Sequence, residues 1–201
     1  ALLSNINLES LSRKLSKIHE IFLPAGYNTW IQSLSNPSSS FYSFQPQVVF
    51  ILLDGEEIIR HDFENYRLII DDYFSYIDQA LQQSPSTVFF LSNLDIPQKA
   101  LKTLDDTQLE RKIENYWILL LEAKKKVYNN LFLFDLKDLI TEVGRERFYS
   151  SKLWYLGSMK YTMQAEKVLK TTIKRYCNAF IGKRKKCLAL DLDNTLWGGV
   201  I

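Results

Sequence analysis

The chain has 201 residues, of which 46% are hydrophobic and 24% charged, a balance typical of folded globular proteins rather than disordered or fibrous ones. Its 25 basic and 23 acidic residues leave a net charge of +2, too small to favour nucleic acid or an anionic membrane as a partner. With neither a run of 18 apolar residues nor a secretory signal, the sequence predicts a cytoplasmic protein without a membrane partner.

Short apolar runs alternate along the chain with longer segments of helical periodicity, a pattern typical of βα units and a parallel sheet. Near-continuous apolar runs predict strands buried on both faces at Val48–Leu53, Thr87–Leu91 and Leu131–Leu136. Weaker strand candidates are Ala1–Ser4 and Ile21–Pro24. We therefore predict about five parallel strands.

Four longer segments carry apolar residues at helical spacing and predict amphipathic helices. They are Leu8–Ile18, Phe63–Leu81, about Thr107–Asn129 and about Thr162–Ile181, and the last is followed by Gly182, a common residue just after a helix. Helices of this kind, alternating with parallel strands, predict an α/β fold built as a three-layer α/β/α sandwich.

The run Gly182–Lys186 is the candidate domain boundary, because a helix stop is followed there by four consecutive cations. No aromatic or glycine-rich residues interleave these cations, so a solvated connector is favoured over a phosphate-binding role. We therefore predict a first domain at residues 1–182. Residues 183–201 then form a linker and the first strand of a second domain that continues further.

The segment Cys187–Leu192 predicts a buried strand that delivers Asp191 to its carboxyl end, where open α/β sheets hold ligands. Asp193 follows two residues later, so two carboxylates approach the same small volume, and their repulsion favours a bound divalent cation. Hard oxygen ligands favour Mg²⁺ over zinc. Asp191 and Asp193 are therefore the predicted metal ligands.

The same two carboxylates can carry phosphoryl transfer. Asp191 is ionised at neutral pH and can attack phosphorus without a helper base, which gives an aspartyl-phosphate that water later opens. Asp193 can protonate the leaving oxygen and then accept a proton from the attacking water. Asn194 and Thr195 shape the turn that follows and are the candidate substrate-binding residues.

The string from Asp191 to Val200, DLDNTLWGGV, resembles motif one of the haloacid dehalogenase superfamily, in the form typical of FkbH-like proteins (the IIIC-type subfamily). FkbH-like proteins carry a region similar to the SGNH-hydrolase fold, with flavodoxin-like winding, before their phosphatase-like domain. Three segments of this chain resemble that region: Leu3–Asn5, Phe41–Pro46 and Leu153–Tyr155.

The resemblance implies a Mg²⁺-dependent step on a phosphorylated small molecule, such as making a glyceryl unit for an acyl carrier protein from a three-carbon precursor. An acyl carrier protein is thus an implied partner. Haloacid dehalogenase phosphatases also need a Ser or Thr, a Lys and further acids from later motifs, which lie beyond Ile201. We therefore expect the whole protein to be an enzyme and residues 1–201 alone to be inactive.

A second hypothesis makes residues 1–182 an SGNH-type esterase with Ser4 as nucleophile. The family pattern has Asp-x-x-His near the C-terminal helix, but residues 150–159 contain no His. His61 is the remaining candidate base, although a solvent-exposed position at a helix start is the simpler interpretation. Gly55 can contribute to an oxyanion hole, but no Asn accompanies it in its segment.

A third hypothesis, which we favour for residues 1–182, is a non-catalytic module that docks a carrier protein, a substrate or the adjoining domain. The other conspicuous side chains are given structural interpretations: the aromatic stretch Tyr27–Phe44 is predicted to be core, Trp154 and Tyr155 to be packing residues, and Asn93 and Asp95 to be turn formers.

Overall fold

A computed structural model describes residues 1–60, 63, 65–97 and 109–181. They contain a four-stranded sheet in which each neighbouring pair of strands is parallel. The strands are β1 (Leu2–Leu3), β2 (Val48–Ile51), β3 (Val88–Ser92) and β4 (Leu131–Phe134), in the spatial order β1-β2-β3-β4. The α/β fold with a parallel sheet is confirmed, with four strands where about five were predicted.

The predicted strand Ile21–Pro24 is wrong, because these residues form no strand in the structure. Phe22 nevertheless lies beside β1, where the Leu2 amide donates a 2.9 Å hydrogen bond to the Phe22 carbonyl. Pro24 has no N–H with which to extend such pairing. The chain therefore passes the outer edge of β1 before it crosses back to β2, which is the winding of a flavodoxin-like fold with its edge strand reduced to an extended segment.

Helices cover both faces of the sheet, and the four predicted long ones are confirmed with bounds shifted by one to three residues at their described ends. The structure adds six short helices that the sequence did not predict, because four to eight residues carry too little periodicity to recognise. In chain order, the helices of the described residues are α1 (Glu9–Leu15), α2 (Trp30–Ser35), α3 (Ser40–Phe44), α4 (Gly55–Ile59), α5 (Tyr66–Gln83), α6 (Leu109–Val127), α7 (Leu136–Val143), α8 (Arg145–Phe148), α9 (Ser151–Gly157) and α10 (Met163–Phe180).

The sheet separates two hydrophobic cores, because successive strand residues point to opposite faces. In β2, Val49 and Ile51 join the core beneath α2 to α6, whereas Val48 and Phe50 join the core beneath α1, α7, α8 and α10. Phe50 stacks on Phe90 of β3 with ring centroids 4.9 Å apart. This arrangement confirms the three-layer sandwich.

The aromatic stretch Tyr27–Phe44 belongs mainly to the core, as predicted. Trp30 and Phe41 are fully buried, and Phe41 makes an edge-on contact with Phe22. Tyr27 is the exception, since half of its surface is exposed and its hydroxyl donates a hydrogen bond to Glu57. The stretch therefore offers one exposed aromatic ring rather than a recognition surface.

Two strand ends lead directly into helices through capping aspartates. Asp54 accepts a hydrogen bond from the Glu57 amide at the start of α4, and Asp135 accepts one from the Asp138 amide at the start of α7. We call this side of the sheet, where its parallel strands end, the carboxyl edge, and the opposite side the amino edge. The caps fix both aspartates at the carboxyl edge.

Gly55 is the position where the carboxyl edge is packed most tightly. A Cβ there would lie 2.6 Å from Cγ1 of Ile96 and 3.3 Å from the carbonyl oxygen of Asp95. We expect Gly55→Ala to lower the free energy of unfolding by about 1–3 kcal/mol, because the loop after β3 must move. Urea denaturation checks this. Gly157→Ala is the matched control, since its Cβ would meet only Cε of Met159 at 3.4 Å, and an equal loss in both variants would contradict the packing argument.

Candidate functional site

The residues predicted to carry phosphoryl chemistry, Asp191, Asp193, Asn194 and Thr195, lie outside the described part of the chain. The predicted domain boundary after Gly182 lies outside it as well. Among the described residues, no group of three or more His, Cys, Asp or Glu side chains is placed to hold a metal ion. The described residues therefore bear on the esterase and docking hypotheses for residues 1–182.

Ser4 lies just after β1, at the carboxyl edge, with 8% of its surface exposed. Its hydroxyl donates a hydrogen bond to the Leu52 carbonyl and accepts one from the Ile6 amide at 3.2 Å. A nucleophilic serine must instead give its proton to a base. The hydroxyl of Ser4 is thus engaged in joining two backbone segments.

Among the described residues, no histidine lies near Ser4. His19 lines a cavity together with Gln47 and Val48, which lie where β2 begins, so it is at the amino edge. His61 lies outside the described residues. The geometry of the described residues therefore gives no support to a Ser–His pair.

Further polar side chains join the strand ends of the carboxyl edge to one another. Asn5 donates a hydrogen bond to the Asp54 carbonyl at 2.9 Å and accepts one from the Asp54 amide at 2.8 Å. Ser92 accepts a hydrogen bond from the Leu53 amide at 3.1 Å. The asparagine that was missing beside Gly55 in the sequence is therefore supplied by Asn5, but its amide group is used by backbone.

Asn93 continues this pattern. It donates a 2.7 Å hydrogen bond to Asp135 and accepts one of 3.0 Å from the Lys137 amide. These bonds run between the loop after β3 and the start of α7, so Asn93 does more than form a turn. Each strand end is linked to the next by polar side chains, whose hydrogen-bonding groups are thereby satisfied within the chain.

Lys160 forms a buried ion-pair cluster with Asp54 and Glu56. Its ammonium donates to Asp54 and, at 2.6 Å, to Glu56, while only 13% of the Lys160 side chain and 3% of the Asp54 side chain are exposed. Burial raises the pKa of Asp54, although Lys160 favours its charged form. Burial alone would lower the pKa of Lys160, but the two carboxylates together raise it, so the ammonium keeps its proton.

Asp95 forms a second cluster and corrects its assignment as a turn former. Its carboxylate is 3% exposed and accepts two hydrogen bonds of 2.6 Å from Arg145 and one of 3.1 Å from the Tyr149 hydroxyl. Lys160 lies 5.1 Å from the Tyr149 ring centroid and so joins the two clusters. No sequence pattern pointed to Arg145, Tyr149 or Lys160, because their partners are 50 to 106 residues away.

A cleft of about 870 Å³ lies beside these clusters, between α4 and the α8–α9 region, and we call it the carboxyl-edge cleft. Its walls combine the ion-paired side chains with rings of α9. Trp154 is half-buried, as expected of a packing residue, but the same interpretation of Tyr155 is wrong, since 88% of its surface is exposed. The volume suits a small ligand or a partner's side chains. The lining includes Glu56, Arg60, Arg145, Tyr149, Trp154, Tyr155 and Lys160.

The raised pKa values of tyrosine and lysine side chains in this region predict how the stability of the fold depends on alkaline pH. Burial raises the pKa values of Tyr149 and Tyr161 far above the usual tyrosine value near 10. Burial, together with a hydrogen bond to Glu57, raises the pKa of Tyr27 to about 12. The pKa of Lys160 is also raised. In each case the folded chain holds the proton more tightly, so the stabilisation is complete below about pH 10 and is lost as the pH rises further.

We therefore expect the urea midpoint to fall steeply above about pH 10, with tyrosinate absorbance at 295 nm appearing together with unfolding. Unfolding curves recorded between pH 8 and 12 measure this. The Tyr161→Phe variant should show a shallower fall, since it removes one buried phenol. A midpoint that does not change over this range would contradict the assignment.

Among the described helices, including the 18-residue α5 and α10 and the 19-residue α6, none combines the length and the apolar character that crossing a bilayer requires.

Comparison with models of known protein families finds no match, and comparison with curated protein sequences finds none either. Among solved structures, the chain is similar to the crystal structure of the N-terminal part of the protein BF1531 from Bacteroides fragilis, which contains a phosphatase domain complexed with Mg. The two share 23% identity with a TM-score of 0.79, and the match covers 100% of this chain and 56% of that one. The chain thus spans little more than half the length of its structural neighbour, and the likeness establishes a shared α/β fold.

Proposed function

We propose that the chain is the N-terminal part of a Mg²⁺-dependent phosphatase or phosphotransferase of the FkbH-like kind, in which Asp191 is the nucleophile. One observation carries this proposal. The chain shares its fold with part of a protein whose crystal structure contains a phosphatase domain complexed with Mg, and its sequence carries a DxDxT motif, Asp191–Thr195, after the basic run Lys183–Lys186. A phosphorylated small molecule is the substrate class that fits this motif.

In the proposed reaction, a carboxylate oxygen of Asp191 bonds to phosphorus while the bond from phosphorus to the leaving oxygen breaks. Asp193 donates a proton to that oxygen and then accepts one from the water that opens the aspartyl-phosphate. Asp191 and Asp193 supply the hard oxygen donors that suit Mg²⁺, and the bound cation supplies charge compensation for the phosphoryl group. Asn194 and Thr195 contact the substrate.

In the same proposal, residues 1–182 are a non-catalytic binding module. The hydrogen bonds of Ser4 support this assignment over an esterase, since its hydroxyl donates to the Leu52 carbonyl. The carboxyl-edge cleft and the exposed ring of Tyr155 support a binding role. An acyl carrier protein that receives a glyceryl unit is the partner that the motif's resemblance suggests.

The test is hydrolysis of a generic phosphate monoester by a version of the protein extended beyond Ile201. We expect turnover that needs Mg²⁺, is lost with EDTA and is absent from residues 1–201. Release of phosphate in the absence of any divalent cation would contradict the proposal. Hydrolysis of a carboxylic ester that is lost in Ser4→Ala would instead favour the esterase.

A further inference from the structure

A second concave surface lies at the amino edge of the sheet, opposite the carboxyl-edge cleft. A groove of about 380 Å³, which we call the amino-edge groove, lies there between β1, β2 and the end of α10. Its walls combine apolar side chains with the polar side chains of His19, Glu20, Gln45 and Gln47. Six of the lining side chains are Leu2, Leu15, Ile21, Phe44, Val48 and Ile181.

The path of α10 leads the chain to this groove. The helix begins at the carboxyl edge, where Tyr161 pairs with Tyr149 just before it, and runs antiparallel to the strands. It ends at Phe180, and the next residue, Ile181, lines the groove. Phe180 packs on Phe90 and Phe132 and remains 38% exposed, and Ile181 remains 42% exposed.

The length of the connector limits where the following segment can lie. Residues 182–186 form a five-residue connector, which spans at most about 17 Å. The 18-residue α10 is about 27 Å long, so its far end and the carboxyl-edge cleft are beyond the reach of that connector. The amino-edge groove, by contrast, is lined by Ile181, the residue that immediately precedes the connector.

We propose that the amino-edge groove is the docking surface for the segment 187–201, the start of the second domain, so that the two domains of the longer protein pack against each other. The docking proposal rests on the proposed function because it takes that segment to be part of a second domain. The segment begins with the apolar run Cys187–Leu190, which can cover the exposed side chains of Phe180 and Ile181. Glu20 at the rim complements the four cations of the connector.

Docking at the amino edge has a consequence for the whole protein. It leaves the carboxyl-edge cleft open to a separate ligand or partner, since the second domain occupies the opposite side of the sheet. The first domain is then a fixed base for the second domain and not a lid over its catalytic site.

The experiment is limited trypsin digestion of the longer protein, because Lys183, Arg184, Lys185 and Lys186 are four consecutive cleavage sites. Docking holds the connector, so we expect slow cleavage there. Ile181→Asp should increase the cleavage rate by about tenfold or more, because it places a charge in the docked surface. Leu156→Asp is the matched control, since Leu156 is 70% exposed at the opposite edge, and it should leave the rate unchanged.

Circular dichroism must first show that both variants are folded, and Ile21→Asp serves as a second groove variant. Cleavage of the wild-type connector as fast as an unstructured peptide of the same sequence, or equal rates in all variants, would overturn the proposal. The Asp191→Asn variant distinguishes a failure of the proposed catalytic mechanism from a failure of the docking proposal. A protected connector in an active Asp191→Asn protein overturns the mechanism alone, whereas an exposed connector in an inactive one overturns docking alone.

Discussion

Replacing Asp191 by Asn in the longer protein is expected to reduce phosphate-monoester hydrolysis by at least about 10³-fold, because an amide cannot form the acyl-phosphate intermediate. The value of kcat should fall with little change in the thermal midpoint, since the replacement is nearly isosteric. Steady-state kinetics with saturating Mg²⁺ measures the effect. Asp193→Asn should also be impaired, by about 10²- to 10⁴-fold, because it removes the proposed proton donor.

Ser4→Ala is the matched control for this experiment. The hydroxyl of Ser4 joins the β1 and β2 ends without facing a base, so turnover should remain within about twofold of the wild type. Substantial hydrolysis by Asp191→Asn, with Ser4→Ala inactive but folded, would exclude the aspartyl-phosphate mechanism and return the nucleophile to the first domain.

Lys160→Met is expected to cause the largest loss of stability in the first domain, about 3–5 kcal/mol of unfolding free energy. It removes the ammonium from Asp54, whose side chain is 3% exposed, and leaves a buried carboxylate without its cation. Glu56 loses the same partner but is closer to solvent, with 22% of its side chain exposed. Urea denaturation at neutral pH gives the value.

Two controls separate this effect from a general loss of charge. Lys125→Met breaks a surface ion pair with Glu122. The side chain of Lys125 is 32% exposed and that of Glu122 is 49% exposed, so the free energy of unfolding should change by less than about 0.5 kcal/mol. Adding Asp54→Asn to Lys160→Met should recover part of the loss, because the buried group is then neutral and keeps its capping oxygen. A double variant no more stable than Lys160→Met would refute the buried-charge explanation.

The strands were predictable because a parallel sheet covered by helices on both faces requires near-continuous apolar runs, and β2, β3 and β4 each have one. Ile21–Pro24 has the same apolar composition, but composition does not reveal that it meets β1 through Phe22 at the outer edge of the sheet. The short helices were missed for a related reason, since their positions are set by packing and by caps such as Asp54 and Asp135 rather than by periodicity.

The arrangement at the carboxyl edge was less predictable. Asp95 and Asn93 were recognisable as polar residues after a strand, but their roles depend on Arg145 and Asp135, which the fold brings in from distant segments. Tyr155 was predicted wrongly for a different reason. An aromatic residue in an amphipathic segment is normally packed, whereas the ring of Tyr155 faces solvent. The sequence motif at Asp191 and the structure of the first domain thus inform on different parts of the protein.

The position of α10 bears on how the chain folds during synthesis. Its side chains Leu169, Ile173 and Cys177 complete the core on one face of the sheet, and Lys160, just before it, compensates the charge of Asp54 near β2. The strands emerge from the ribosome well before these residues, so that face of the sheet stays uncovered until α10 has been made. In the proposed two-domain arrangement, this face would be covered only when synthesis reaches the proposed linker that begins at Gly182.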